Sequence, residues 1–138
     1  FKSLYQYEKN VFFKKNIYNF KKRITKSKLQ FFELIKNIKG NNIYGISAPS
    51  RSTTLINYLG LSADIVQCIV EVEGSKKIGN YLPGTDIPIL DEKKLYIDQP
   101  KFALILSWHI ADELIKNLRK RGYLGKFIIP LPIPKIIS

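Results

Sequence analysis

After Gly40 the chain alternates between short apolar runs and stretches with helical spacing, and this alternation limits the fold more than any other feature. The apolar runs predict four strands, near residues 43–46, 65–71, 102–106 and 126–129. The helical stretches predict two helices, at about residues 51–60 and 110–121. Because neighbouring parallel strands need a crossover connection, usually a helix, this order predicts an α/β domain with a mainly parallel sheet.

One segment does not follow the alternation. Residues 73–100 are rich in Gly, Pro and charged residues, which predicts a structured loop with a short strand or two. Loops of this length inside a compact domain are often functional. We therefore treat this loop as a candidate region for ligand contacts.

The N-terminal segment predicts a long amphipathic helix that stops at Gly40. Ser27 and Lys28 interrupt its apolar stripe. We expect the stripe to pack on the domain's own sheet, with a neighbouring domain as the alternative contact for the first dozen residues. The chain then divides into a basic helix over residues 1–40 and a sheet domain over residues 41–138. The stripe consists of Phe13, Ile17, Phe20, Ile24, Phe31, Ile35 and Ile38.

Positive charge is concentrated in this helix. Of the formal net charge of +12, residues 1–40 contribute +9, from eleven Lys and Arg against Glu8 and Glu33. A basic segment with aromatic residues is suited to the phosphates of nucleic acid or to an anionic membrane surface. The interpretation that we favour is a solvated helix face in a lysine-rich protein.

Cysteine content and hydropathy exclude several classes of protein. Cys68 is the only cysteine, so the chain forms no internal disulfide and no metal site built from paired cysteines. No stretch reaches the roughly eighteen apolar residues of a membrane span, and the N-terminus lacks the apolar core of a signal peptide. We expect a cytoplasmic protein. Because the chain begins at Phe1 and contains no Met, we also expect it to be a fragment of a longer polypeptide.

The turn after the first strand is the strongest candidate site that the residues themselves indicate. Residues 45–58, GISAPSRSTTLINY, form a strand end, a small-residue turn and a helix start. Free N–H groups at a helix start favour anions, and Arg51 adds a forked donor for a phosphate or carboxylate. The alternative is a helix capped by Ser50 or Ser52, with Arg51 facing solvent.

Two nucleotide-binding motifs fit this turn poorly. Its spacing matches a P-loop, but Ser50 replaces the second glycine, Arg51 replaces the lysine, and Pro49 lacks an N–H. The dinucleotide fingerprint fails because Ser47 replaces its second glycine. A degenerate P-loop phosphotransferase therefore remains only an alternative.

Three stretches, taken in order, share their spacing with one known family. Residues 44–60, YGISAPSRSTTLINYLG, are similar to a GYGAPAKGNTLLNY signature, and residues 77–89, KIGNYLPGTDIPI, to a KxGRxLPGTxIPI loop. ALILSWHIADEL at 103–114 and GKFIIPLP at 125–132 resemble LILPWNLADEI and GGRFVVPIP. These motifs belong to the C-terminal domain of bacterial sugar C-methyltransferases, which this chain resembles over roughly residues 30–132.

The resemblance implies a three-part enzyme that methylates a ring carbon of a nucleotide-linked deoxysugar. In that family an N-terminal segment binds zinc, and a central domain binds S-adenosylmethionine and holds the catalytic base. A three-layer, Rossmann-like C-terminal domain helps to enclose the sugar nucleotide. This chain corresponds to that last part, so we assign it no catalytic residue, no metal and no cofactor of its own. Its implied partners are the substrate and the upstream methyltransferase domain, and alone it is expected to be inactive.

Matching positions give the candidate substrate-binding residues. Departures from the family's pattern at Ser47, Ser52, Thr53, Val72, Asn80 and Asp86 each weaken a possible polar contact, which indicates a different sugar or a mainly architectural role. The candidates lie in the turn, the loop and the end of the third strand: Gly45, Ala48, Pro49, Ser50, Arg51, Thr54, Asn57, Lys77, Gly79, Pro83, Gly84, Thr85, Trp108 and His109.

His109 is the only histidine, and it follows Trp108. Asp112 and Glu113 come shortly after it, a setting in which an imidazole can exchange protons near neutral pH. The family tolerates Asn at this position, so we favour a helix-start residue at the rim of a pocket. The sequence thus predicts the substrate-side domain of a C-methyltransferase. The alternative from another class is a non-enzymatic module that binds nucleic acid or another anion through residues 1–40.

Overall fold

Within residues 2–38 and 40–138, which the computed structural model describes, six strands form one sheet. The strands are β1 Ile43–Ile46, β2 Cys68–Glu71, β3 Ile89–Asp91, β4 Phe102–Ile105, β5 Lys126–Ile129 and β6 Lys135–Ile137. The helices are α1 Lys2–Asn37, α2 Ser50–Leu59, α3 Lys93–Asp98 and α4 Ala111–Lys120, with a 3₁₀ turn at Trp108–Ile110 before α4.

The sheet is doubly wound. Its strand order is β3-β2-β1-β4-β5-β6. The first five strands pair in parallel, and β6 pairs antiparallel with β5. The chain builds outward from β1 in one direction and then, from β4, in the other. Ligands of such folds bind beyond the carboxyl ends of the strands, near the point of reversal. The predicted α/β class and mainly parallel sheet are confirmed.

Alternating side chains divide the interior into two cores. In β4, Leu104 enters the core that α1 and α2 cover, whereas Ile105 enters the core that α3 and α4 cover. The first core takes Ile56 from α2, and the second takes Leu118 from α4. Because a strand with both faces covered buries every side chain, β4 is apolar throughout, which is why its sequence was easy to recognise. The result is the predicted three-layer domain.

Several elements differ from their predicted extents. The N–H groups of Ile65 and Val66 both donate to the Ser62 carbonyl, each at 3.0 Å, so this stretch is a turn and β2 begins only at Cys68. The short elements β3, β6 and α3 were not individually predicted. β3 and β6 have three residues each and α3 has six, too few to show a clear period.

Only the second half of α1 packs on the sheet. Phe31 is buried, as is Ile38 directly after the helix, and Leu34 and Ile35 pack against the same core. The expectation that the whole stripe packs on the sheet is therefore wrong. The first half exposes large apolar side chains, namely Leu4, Tyr5, Tyr7, Val11, Phe12, Phe13, Ile17, Tyr18 and Phe20.

The exposed half of α1 projects from the carboxyl edge of the sheet. α1 is followed by β1, which starts at the amino edge, so α1 runs towards that edge. Ser27 Oγ donates to the carbonyl of Pro132, beyond the carboxyl end of β5, at 3.1 Å. Residues 3–20 therefore extend past the carboxyl edge, over about 27 Å at 1.5 Å per residue.

Candidate functional site

The β1–α2 turn contains a strained serine. Ser47 has a φ of +65°, in the left-handed region that favours glycine, and its N–H donates to the Val70 carbonyl at 2.9 Å. The resemblance placed a glycine at this position. Ser47 thus adopts a glycine-like conformation, which costs an ordinary residue about 1–2 kcal/mol.

Glu71, at the end of β2, closes this turn. Its Oε1 accepts a hydrogen bond from the Ala48 N–H at 2.5 Å. Lys77 Nζ donates to the Ala48 carbonyl at 2.5 Å and lies 3.7 Å from Glu71 Oε1. Glu71 ends the strand predicted over residues 65–71, but it was not among the candidate site residues. The acidic residue directly after the CIV run was the available signal.

The closed turn does not resemble a phosphate cradle. The Ala48 N–H is already bound to a carboxylate, and Pro49 has no N–H to offer. In dinucleotide-binding folds the acid after the second strand bonds the ribose, whereas here Glu71 bonds the turn itself. Both features disfavour the degenerate P-loop and a dinucleotide site.

Neither predicted serine caps α2. The N-cap residue is Pro49, which makes no side-chain cap bond, and Ser50 is the first helical residue. Ser52 is buried, and its hydroxyl donates to the Pro49 carbonyl at 2.6 Å instead. The hypothesis that Ser50 or Ser52 caps the helix is therefore wrong.

Packing explains Gly45, which was a candidate substrate contact and lies within β1. A Cβ added to Gly45 would lie 2.8 Å from Ile69 Cγ1 and 3.1 Å from Leu106 Cδ1. Real Cβ atoms essentially never approach another atom within 3.0 Å. The glycine therefore allows β1 to pass between these two side chains.

The predicted loop residues are held by contacts within the protein. Asn57 Nδ2 donates to the Pro83 carbonyl at 3.0 Å, and a Cβ on Gly84 would lie 2.7 Å from Asn57 Oδ1. The Thr85 hydroxyl donates to the Leu82 carbonyl at 2.8 Å. Gly79 has a φ of +88°, and its N–H donates to the Ile89 carbonyl at 2.9 Å. These contacts fasten the loop to α2 and β3.

A groove of about 760 Å³ lies between α1, α2 and the chain that follows β4 and β5. Three candidates line it, namely Arg51, Thr54 and Trp108. The α1 wall includes Phe20, Arg23, Ile24, Ser27, Lys28 and Phe31, and the third wall includes Pro130, Leu131 and Pro132. We call this the α1–α2 groove. It is mostly apolar, with three cationic side chains on its walls.

Two polar contacts fasten α1 to the other walls of the groove. Lys28 Nζ donates to the Tyr58 carbonyl at 2.7 Å and lies 4.5 Å from the centre of the Tyr58 ring. Ser27 is bonded to the Pro132 carbonyl. These are the two residues that interrupt the apolar stripe, so the interruption marked tertiary contacts. Arg23 and Tyr58, which also line the groove, were missed as candidates.

His109 faces a second groove, of about 640 Å³. This groove lies on the other side of Trp108 and also contains Asp112, Glu113 and Lys135. The His109 and Trp108 rings meet edge to face at 6.4 Å between centroids. His109 makes no side-chain hydrogen bond with the described residues, so nothing orients its imidazole for proton transfer.

Residues 2–38 and 40–138 contain neither a group of metal ligands nor an ionised thiol. No group of three or more His, Cys, Asp or Glu side chains comes together there in a way that would hold a metal ion. Cys68 is buried, and burial raises the pKa of its thiol to about 11, which keeps it neutral. None of the helices within these ranges is long and apolar enough to span a membrane.

The candidates thus do not form a single site. Arg51, Thr54 and Trp108 come together in the α1–α2 groove, and His109 adjoins it from the second groove. Ser50 lies at the exposed start of α2. The remaining candidates make the structural contacts described above and do not line the groove: Gly45, Ala48, Pro49, Asn57, Lys77, Gly79, Pro83, Gly84 and Thr85.

Known proteins share this sequence pattern. Residues 2–132 match the family described as C-methyltransferase C-terminal domain. The C-methyltransferase NovU from Streptomyces niveus is 31% identical over 114 residues, an alignment that covers 79% of this chain and 26% of that protein. The chain therefore spans about a quarter of the length of this relative.

Proposed function

Because the chain belongs to the C-methyltransferase C-terminal domain family, we propose that it is the substrate-side domain of an S-adenosylmethionine-dependent C-methyltransferase. The substrate that we propose is a nucleotide-linked deoxysugar. The observation on which the proposal rests is the family match over residues 2–132, nearly the whole chain. The remaining parts of the enzyme, including its catalytic base, would lie upstream in the same polypeptide.

The position of the α1–α2 groove supports a substrate-binding role. It lies beside the carboxyl edge of the sheet, where doubly wound folds bind ligands. Its walls combine apolar and aromatic side chains with a few charged ones, which is the usual composition of a small-molecule site. Arg51 would bind an anionic group, and Trp108 would offer a ring face or edge to the rest of the ligand.

The projecting half of α1 supports a neighbouring domain at the same edge. It exposes Phe12 and Phe13 at 68% and 63%, which is costly for large aromatic side chains in water. We propose that the upstream methyltransferase domain covers these side chains. A domain in that position would lie over the carboxyl edge and close the groove from above.

S-adenosylmethionine does not fit the β1–α2 turn and the end of β2. A cofactor of this kind is usually held by a glycine-rich turn and by an acid that bonds its ribose. Here Pro49 lacks an N–H, and Glu71 is already bonded to the Ala48 N–H. We therefore assign the cofactor to another part of the enzyme.

The work of this chain would be to position the substrate. Fixing one end of the sugar nucleotide in the groove would hold the reacting carbon in place and reduce its contact with water. Orientation of this kind contributes several kcal/mol to lowering a barrier. The domain would thereby raise the rate without supplying a group that touches the reacting atoms.

Calorimetry tests which of the two ligands, the sugar nucleotide or S-adenosylmethionine, binds to this chain. We expect a sugar nucleotide to bind and S-adenosylmethionine not to bind. Arg51→Ala should weaken sugar-nucleotide affinity roughly ten- to 150-fold, because it removes a charge-assisted hydrogen bond of about 1.5–3 kcal/mol. Stability should change little, since Arg51 is exposed. Micromolar binding of S-adenosylmethionine would overturn the proposed architecture.

Salt dependence separates this proposal from a nucleic-acid module. The lysines of α1 should give only weak, sequence-independent binding to DNA or RNA, and this binding should fall steeply as salt increases. A complex that survives about 0.3 M salt with a clear sequence preference would favour the binding-module alternative.

A further inference from the structure

α1 and α2 run in the same direction along the α1–α2 groove. α2 leaves the carboxyl edge after β1 and returns towards the amino edge, as α1 does before β1. The Lys28–Tyr58 contact joins the two helices near the C-terminal end of α2. Arg51 lies seven residues before Tyr58 on α2, and Arg23 lies five residues before Lys28 on α1. Both arginines line the α1–α2 groove, Arg23 from α1 and Arg51 from the start of α2.

The two arginines differ from Lys28 in their contacts. Lys28 is already engaged, through its bond to the Tyr58 carbonyl and its position over the Tyr58 ring. Arg23 and Arg51 form no salt bridge and no side-chain hydrogen bond with any residue in the described part of the chain. Two guanidinium groups on opposite walls of one apolar groove favour a ligand with at least two negative charges.

We propose that Arg23 and Arg51 together grip the diphosphate of the sugar nucleotide, so that α1 forms one wall of the substrate site. The inference rests on the proposed function, because it assumes a nucleotide-linked substrate. Arg51 comes from the β1–α2 turn, which the sequence indicated. Arg23 comes from the helix that the sequence assigned to solvent and to domain contacts. The guanidinium fork suits phosphate oxygens better than a lysine ammonium does.

The groove also favours a nucleotide over a polymer. The Lys28–Tyr58 contact bridges its walls at one end, so a nucleic-acid strand has no continuous path through it. Phe20, Tyr58 and Trp108 line it with aromatic rings, on which a single base can stack. The diphosphate would lie between the arginines, and the base would lie against one of these rings.

We call Arg23 and Arg51 together the arginine clamp. Titration of the 138-residue chain with uridine diphosphate and with thymidine diphosphate tests this clamp. Arg23→Ala and Arg51→Ala should each weaken binding roughly ten- to 150-fold. Arg23→Lys should lose less affinity than Arg23→Ala, because lysine keeps the positive charge but lacks the forked pair of N–H donors. Lys15→Ala is the matched control, since it removes the same charge from the same helix at a residue that does not line the groove. At about 0.15 M salt it should weaken binding less than about threefold.

Further probes test the nucleoside part. Inorganic pyrophosphate and uridine should each bind more weakly than uridine diphosphate, because each reaches only half of the site. Equal affinity for pyrophosphate and the nucleoside diphosphates would overturn the role of the rings. Thermal unfolding should show all variants to be folded, since Arg23, Arg51 and Lys15 are exposed.

The clamp fails if Arg23→Ala behaves like Lys15→Ala, or if the unaltered chain binds neither diphosphate at millimolar concentration. The proposed function is tested separately, by methyl transfer to a sugar nucleotide in the full-length polypeptide. Methyl transfer with an unchanged KM in Arg23→Ala would remove the clamp and leave the proposed function standing. If Arg23→Ala loses affinity for the diphosphates but the full-length polypeptide transfers no methyl group to a sugar nucleotide, the arginine pair stands as an anion site and the proposed function fails.

Discussion

The two halves of α1 have the same sequence pattern and opposite surroundings. Phe13 and Phe31 occupy the same apolar stripe, yet Phe31 is 1% exposed and Phe13 is 63% exposed. The spacing of apolar residues therefore determined which face of the helix is apolar, but not how much of that face the domain itself covers. A stripe that continues beyond its partner is a sign of a second partner.

The reason for the difference is a mismatch in length. α1 has 36 residues, which at 1.5 Å per residue is about 54 Å. β1 and β4, in the middle of the sheet, have four residues each, which at 3.3 Å per residue is about 13 Å. A sheet of this height covers the last turns of the helix and no more.

Amide hydrogen exchange should show the largest difference. Amides in residues 31–37 are backed by the core and should exchange mainly through global opening, whereas those in residues 3–20 should open locally at almost no cost. The difference in opening free energy should be about 5 kcal/mol or more. Equal protection of both segments, measured by mass spectrometry at one protein concentration, would contradict the comparison.

A matched pair of substitutions should show the next largest effect. Phe31→Ala removes a buried ring and should lower the free energy of unfolding by about 3–5 kcal/mol. Phe13→Ala makes the same chemical change on the exposed half and should stay within about 0.5 kcal/mol. Urea unfolding of both variants provides the measurement. Similar losses would mean that the first half of α1 is covered within this chain.

Lys28→Ala should have a smaller effect at the boundary between the halves. It removes the hydrogen bond to the Tyr58 carbonyl and the contact with the Tyr58 ring, together about 1–2 kcal/mol. Lys15→Ala, further out on the same helix, should leave the unfolding midpoint unchanged. If the two variants unfolded at the same urea concentration, Lys28 would not fasten α1 to α2.

Truncation should have the smallest effect. A chain that starts at residue 17 keeps Phe31, Lys28 and Ser27, so its free energy of unfolding should change by less than about 0.5 kcal/mol. The shorter chain should also aggregate less, since it exposes fewer aromatic side chains. A loss of more than about 2 kcal/mol would show that the projecting half stabilises the fold directly.

The sequence predicted the parts of the fold that depend on local pattern. Fully apolar runs such as the one in β4 identified the parallel strands, because a strand buried on both faces has no polar side chain. Helical spacing located α2 and α4 to within a residue at each end. The ordered motifs gave the family, which the match over residues 2–132 confirms. The antiparallel β6 was missed because an exposed edge strand of three residues has no distinctive pattern.

The candidate site was only partly predictable, for a physical reason. Arg51 and Trp108 follow the carboxyl ends of β1 and β4, and these ends meet at one edge of the sheet, so their proximity followed from the fold class. The bond between Glu71 and the Ala48 N–H joins residues 23 apart in sequence, and the bond from Lys28 to Tyr58 joins residues 30 apart. Periodicity gives the face on which a side chain lies but not the distant group that it meets. The chain alone therefore determined the elements, their order and their apolar faces. Only tertiary packing decided that Glu71 closes the turn, that Arg23 lines the groove, and that the sheet covers α1 no further than its last turns.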